Sequence, residues 1–211
     1  MARSNKLNLN LNLPERPDPT KGNGSWPLKL DHVENWAWRS DVFTPEELDT
    51  ILEIGKRTEL HKGSTNGVQS DKNRNSFVQF LFPNEITGWV FERLAGAITE
   101  VNELFFRFDL NGMEQGLQFT RYTAPGEHYS WHIDKGFMVP ARKLSLSLQL
   151  NDPSEYSGGE LQLKLGRQNH TMTKERGMVT FFPSYTLHRV RPVTKGTRYS
   201  LVAWVSGPPF K

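Results

Sequence analysis

Pro125-Gly126-Glu127-His128-Tyr129-Ser130-Trp131-His132-Ile133-Asp134 decides the fold. Taken as a helix, it places His128 and His132 four apart on one face, a spacing suited to zinc. Taken as a strand, it puts His132 and Asp134 on a common face, with His128 and Ser130 along the same row. Composition favours the strand: Tyr129, Trp131 and Ile133 are strand formers, and Pro125-Gly126 is a turn signal in front of them.

The pattern continues on either side. Short strand-like runs occupy 117–122, 129–133, 144–150, 161–165, 169–172, 178–182, 188–190 and 199–205. Pro140, Asp152-Pro153, Gly158-Gly159, Gly166, Gly177, Pro183, Pro192 and Gly196 separate them. Many short strands with turn signals between them predict a sandwich or barrel, and a jelly roll has eight. Upstream, Thr44-Pro45-Glu46-Glu47 is a helix start, with Thr as the cap and Glu at the third helical position. Leu48, Ile51, Leu52 and Ile54 give that helix its buried face, and Gly55 weakens its end. A polar loop over 63–75 precedes a strand at 77–82. A second helix is predicted from Ile86, Trp89, Val90, Leu94, Ala97, Ile98, Val101 and Leu104 at helical spacing. Residues 1–25 read as a tail, flexible or an edge strand: Leu alternates with Asn over 7–13, a period that suits a strand, and a Pro/Gly-rich linker follows. The expected architecture is one mainly β domain over 26–211, with two supporting helices and a β core over about 116–211.

At 211 residues the chain fits one domain with a real core. It has no cysteine, which excludes disulfides, thiolate zinc sites, iron–sulfur clusters and a Cys nucleophile. A secretory start and a run of 18 apolar residues are both absent, so the expectation is a soluble, cytoplasmic protein without membrane contact. Net charge is +3 and the basic residues are dispersed, which fits an ordinary surface and does not demand nucleic acid. Arg74, Arg142 and Arg191 would suit an acidic partner or lie solvated.

His188 completes a two-histidine, one-carboxylate set with His132 and Asp134, the combination that leaves open positions on non-haem Fe(II). Arg198 follows His188 by ten residues. It offers a planar, permanently charged fork for a carboxylate. On a strand, Arg198, Ser200, Val202 and Trp204 face one way. Tyr122 adds a candidate phenolic donor. Metal ligands plus a carboxylate anchor suggest an oxygenase that consumes an oxo-acid. His32, His61 and His170 have no partner pattern, and surface is the default for each.

Arg121-Tyr122, His132-x-Asp134, Ser157-Gly158-Gly159-Glu160-Leu161, Phe182-Pro183-Ser184 and the run from His188 to Arg198 together resemble the 2-oxoglutarate- and Fe(II)-dependent dioxygenases of the prolyl-hydroxylase-like branch. They are most similar to the PKHD-type hydroxylases. The resemblance covers about residues 77–211. It implies a double-stranded β-helix, jelly-roll or cupin-like, in which His132, Asp134 and His188 bind Fe(II). Arg198 would pair with the distal carboxylate of 2-oxoglutarate and Tyr122 would hydrogen-bond it. Gln149 stands where some relatives place a cosubstrate-touching tyrosine, and Trp204 corresponds to a pocket-wall tryptophan. Trp131, Phe137 and Met138 would exclude water. The implied reaction hydroxylates a peptidyl residue, proline foremost, with O2 consumed, succinate and CO2 released and ascorbate as reductant. Two other readings compete. One is a nucleic-acid demethylase of the same superfamily, which would carry an arginine at the position of Trp204. The other is a non-catalytic metal-binding β-barrel, which would not need Arg198 and Tyr122 beside the metal.

Overall fold

A computed structural model describes residues 33–64, 67–135 and 141–210. The expected N-terminal tail lies outside them, as do Phe137 and Met138. Strand β1 (Ala37–Arg39) leads into helix α1 (Pro45–Lys56), followed by β2 (His61–Lys62), β3 (Arg74–Asn75), β4 (Phe77–Leu81) and α2 (Gly88–Val101). The remaining strands are β5 (Leu117–Thr123), β6 (His128–His132), β7 (Arg142–Gln149), β8 (Tyr156–Gly158), β9 (Leu161–Leu165), β10 (Gln168–Thr171), β11 (Val179–Pro183), β12 (Leu187–Val190) and β13 (Val193–Ser206). The larger sheet runs β1-β11-β7-β13-β5-β4-β2, with β8 added along β13. The smaller runs β10-β9-β12-β6-β3, and every pairing is antiparallel. The two curled sheets make the expected jelly-roll core. Tyr156–Gly158 adds a strand where only a turn was expected, and the last strand begins earlier, at Val193.

The larger sheet owes its place to strict alternation. In β7 and the residue after it, Leu144, Leu146, Leu148 and Leu150 are fully buried and join Ile51, Leu94, Val101 and Phe106 of the helical layer. Ser145, Ser147 and Gln149 project from the opposite face of the same strand. One side of this sheet therefore makes the apolar core, and the other is left polar.

The helices are specified locally. Thr44 Oγ1 accepts from the Glu47 N–H at 3.2 Å, and the Glu47 carboxylate accepts from the Thr44 N–H at 2.9 Å, closing the predicted capping box. In α2 the predicted stripe is trimmed at both ends: Ile86 and Leu104 are 65% and 61% exposed. Ile86 sits in the turn before the helix. Leu104 lies in a π-helical turn, Asn102–Phe106, whose wider spacing swings it off the buried face and brings Phe106 onto it.

Gly55 does more than weaken a helix end. A Cβ at this position would lie 2.1 Å from the ring of Phe119, which is itself fully buried on β5. The missing side chain is what lets α1 approach the sheet. Gly55→Ala is expected to lower stability by about 1–3 kcal/mol through overpacking, read as a lower denaturant midpoint. An unchanged midpoint would show that the contact is soft.

Candidate functional site

Strand β6 is irregular, and the irregularity arranges the site. His132 pairs with His188 and Tyr129 with Val190, so β6 spends one residue more than β12 between the two pairs. That is a β-bulge, which re-aims side chains. It places Tyr129 and His132 on the same face, their rings stacked 3.5 Å apart between centroids. His128 and Ser130, expected beside His132, instead turn away and contact the Lys72 carbonyl at 3.3 and 3.2 Å. Trp131, expected to exclude water from the pocket, packs outside it with Arg189 and Lys164 over its ring at 4.5 and 5.8 Å. A strand drawn with perfect alternation misplaces His128 and Ser130, while Trp131 lies on the face opposite His132 that alternation gives it.

The candidate ligand atoms of His132, Asp134 and His188 lie within 4.8 Å of one another. One Asp134 oxygen is 3.7 Å from His132 Nε2, and the other is 3.4 Å from His188 Nε2. Each imidazole is held from behind: His132 Nδ1 donates to the Ser130 carbonyl at 2.8 Å and His188 Nδ1 to the Thr186 carbonyl at 2.9 Å. A carbonyl only accepts, so Nδ1 of each ring carries a proton and Nε2 is the atom turned to the shared centre. The Asp134 carboxylate accepts from Ser145 Oγ at 2.8 Å, and Ser145 in turn contacts Ser184 Oγ at 2.9 Å. The backbone N–H groups of Asp134 and Lys135 both donate to the Ser184 carbonyl, which fixes the turn.

Charge fits a metal. Burial pushes the His132 imidazole down to about 3, with His188 adding to the effect, so at neutral pH it is in the ligating form. For Asp134, burial raises the pKa, but His188, His132 and the Ser145 hydroxyl outweigh it and keep the carboxyl lower than usual. The neutral His132 imidazole, His188 Nε2 and an ionised carboxylate form a donor set for a divalent cation. Ser145 and Ser184 were not anticipated. The Leu-Ser-Leu-Ser-Leu-Gln-Leu alternation over 144–150 is the signal that could have found Ser145. Ser145→Ala is expected to weaken divalent-metal affinity about 10–100-fold, measured by Mn(II) titration; equal affinity would remove Ser145 from the supporting shell.

The triad lines a cavity of about 560 Å³, together with Tyr122, Arg198 and Trp204. Arg198 is 1% exposed. Its Nε donates to Gln149 Oε1 at 3.1 Å and its Nη1 to Ser200 Oγ at 3.3 Å, while Nη2 is buried with no partner. Tyr122 is buried, with the Arg198 guanidinium 5.5 Å from its ring centre. Burial raises the Tyr122 phenol, so it stays protonated and able to donate. Gln149 thus touches Arg198. Gly159 has φ +67°, and a Cβ there would meet Arg198 Cδ at 3.1 Å, so the second glycine of Gly158-Gly159 gives the arginine its room.

Two further arginines reach this cavity, and both were expected either on a partner-binding surface or in solvent. Arg74 is 7% exposed. It donates to Ser76 Oγ at 2.9 Å, the Ser64 carbonyl at 3.1 Å and Gln118 Oε1 at 3.4 Å, and lies 4.6 Å over the Tyr129 ring. Arg142 lies 3.8 Å over the Trp204 ring and donates from Nε and Nη2 to Gln115 Oε1. Arg191, by contrast, is exposed beside Glu160. His61 is exposed and His170 half-buried on the edge strand β10, and neither lines the cavity.

Comparison with known proteins gives concordant results. Residues 117–206 match the 2OG-Fe(II) oxygenase superfamily. A PKHD-type hydroxylase of Acaryochloris marina is 44% identical over 90 residues, covering 42% of this chain and 41% of that protein. The match therefore spans less than half the length of such relatives. One from Nitrosomonas europaea is 30% identical over 173 residues, covering 78% of this chain and 75% of its own. Among solved structures, a Pseudomonas putida prolyl-4-hydroxylase superposes with TM-score 0.69 at 20% identity, covering 83% of this chain and 94% of that one. A Trichoplax adhaerens prolyl hydroxylase, solved with a hypoxia-inducible-factor peptide fragment, gives TM-score 0.70 at 16% identity, covering 82% and 84%.

Proposed function

This chain belongs to the PKHD-type hydroxylases of the 2OG-Fe(II) oxygenase superfamily, and from that premise we propose that it is an Fe(II)- and 2-oxoglutarate-dependent dioxygenase that hydroxylates a peptidyl residue, proline foremost. The observation that carries the reading is Arg198 Nη2, a buried donor without an acceptor in the same cavity as three converging ligand atoms. Buried polar groups are nearly always paired, so an orphan of this kind points to a missing acceptor. The distal carboxylate of 2-oxoglutarate supplies one.

When bound, Fe(II) with 2-oxoglutarate and O2 supplies the oxidising power: one oxygen atom goes to succinate as CO2 leaves, and the other enters a substrate C–H bond as hydroxyl. The protein contributes position and protection. His132, Asp134 and His188 would hold the metal. Gln149 and Ser200 hold the Arg198 fork in place, and the Tyr122 phenol would donate a hydrogen bond to the same carboxylate. Trp204, Phe182 and Val202 wall the cavity and keep water out. Ascorbate would keep the iron reduced between turnovers. The peptidyl assignment draws on the two structural neighbours, one of them solved with a peptide fragment.

The test is an anaerobic titration with Fe(II) and then 2-oxoglutarate, followed by O2 and a succinate assay with proline-containing peptides. A visible charge-transfer band and peptide-stimulated succinate are expected. Neither signal in folded protein would leave a metal-binding β-barrel as the better account.

A further inference from the structure

The cavity holds more positive charge than the proposed reaction can use. Among its described lining residues, Lys62, Arg74, Arg142 and Arg198 are cationic, and Asp134 is the one anion. Lys62 is paired with Asp71 at 2.9 Å. In the reading above, divalent iron, Asp134, doubly negative 2-oxoglutarate and Arg198 balance to zero. Arg74 and Arg142 are left over. Their hydrogen bonds go to hydroxyl, amide and backbone oxygens, none of them charged. Each is stacked on an aromatic ring, Tyr129 and Trp204 respectively.

Arg74 is buried and Arg142 half-buried; buried arginines are rare unless paired, and an unpaired charge taken out of water is costly. Rings and amides orient these two guanidinium groups without neutralising them, which leaves preset forks for an incoming anion. Resting on the Fe(II)/2-oxoglutarate reading of the site, we propose that the substrate presents a carboxylate to Arg74 and Arg142. That carboxylate lies on the oxidised residue or its immediate neighbour: a terminal α-carboxylate or an acidic side chain beside proline. Recognition of neutral peptide carbonyls alone would leave the two charges uncompensated.

The test uses the full chain loaded with Mn(II) and 2-oxoglutarate, with binding followed by calorimetry. Gly-Pro with a free carboxylate is compared with Gly-Pro amide, and acetyl-Asp-Pro amide with acetyl-Asn-Pro amide. In at least one pair the anionic member is expected to bind about tenfold tighter or better, and the pair that discriminates identifies the source of the carboxylate. Arg74→Gln and Arg142→Gln should each shrink that preference to about twofold or less, with Mn(II) and 2-oxoglutarate binding confirming that the variants are folded. Equal affinity within both pairs, or no saturable binding by any probe at millimolar concentration, overturns the proposal while leaving the enzyme assignment intact. Failure of the wild-type chain to bind Mn(II) and 2-oxoglutarate overturns that assignment, and this inference with it.

Discussion

Asp134→Ala is expected to lower 2-oxoglutarate consumption by at least about a thousandfold, since it removes the one anionic ligand of a three-ligand metal site. The fold should survive. The turn carrying Asp134 is held by backbone: its own N–H and that of Lys135 both reach the Ser184 carbonyl. Ser145 loses one acceptor but keeps Ser184 Oγ at 2.9 Å. Circular dichroism and the denaturant midpoint should therefore stay close to wild type while succinate formation vanishes. Full consumption by the variant would remove Asp134 from the metal site.

Arg198→Ala is expected to separate cosubstrate from metal. Truncating one partner of a buried charge-assisted pair costs about 2–5 kcal/mol, which corresponds to roughly 30- to several-thousand-fold in affinity for 2-oxoglutarate. Mn(II) affinity should change far less, because Arg198 bonds to Gln149 and Ser200 and to none of the ligand residues. The variant leaves Gln149 Oε1 without a donor, a stability loss of about 1–3 kcal/mol, partly offset by removal of an uncompensated buried charge. Conservative replacement by Lys should recover only part of the affinity, since a single ammonium cannot reproduce the fork. Equal weakening of metal and cosubstrate binding would refute the role assigned to Arg198.

The candidate ligand set was legible because His132-x-Asp134 and His188 combine with an arginine ten residues on, and because period-two alternation puts Arg198, Ser200, Val202 and Trp204 on one wall of the cavity. The capping box at Thr44 was legible for a similar reason: it is a local contract between neighbours. What escaped depends on distant pairing. The bulge in β6 is defined only against β12, so His128 and Ser130 could not be placed from their own strand. Arg74 sits at the end of a stretch with every mark of a solvated loop, and only its pairing with Tyr129 turns it inward. The extra residue in the turn after α2 likewise moved Leu104 out of a stripe that helical spacing had included.

Strand β13 also shapes how the molecule must come into being. It lies between β7 and β5 in the larger sheet, carries Arg198, and follows both partners in the chain. On a ribosome, β5 and β7 emerge first, each with one edge of bare N–H and C=O groups awaiting a strand not yet made. Such edges recruit other chains. The sheet face that carries Arg198 is thus completed by the last strand described, and a growing chain needs shelter for its open seam until Val193–Ser206 arrives to close it.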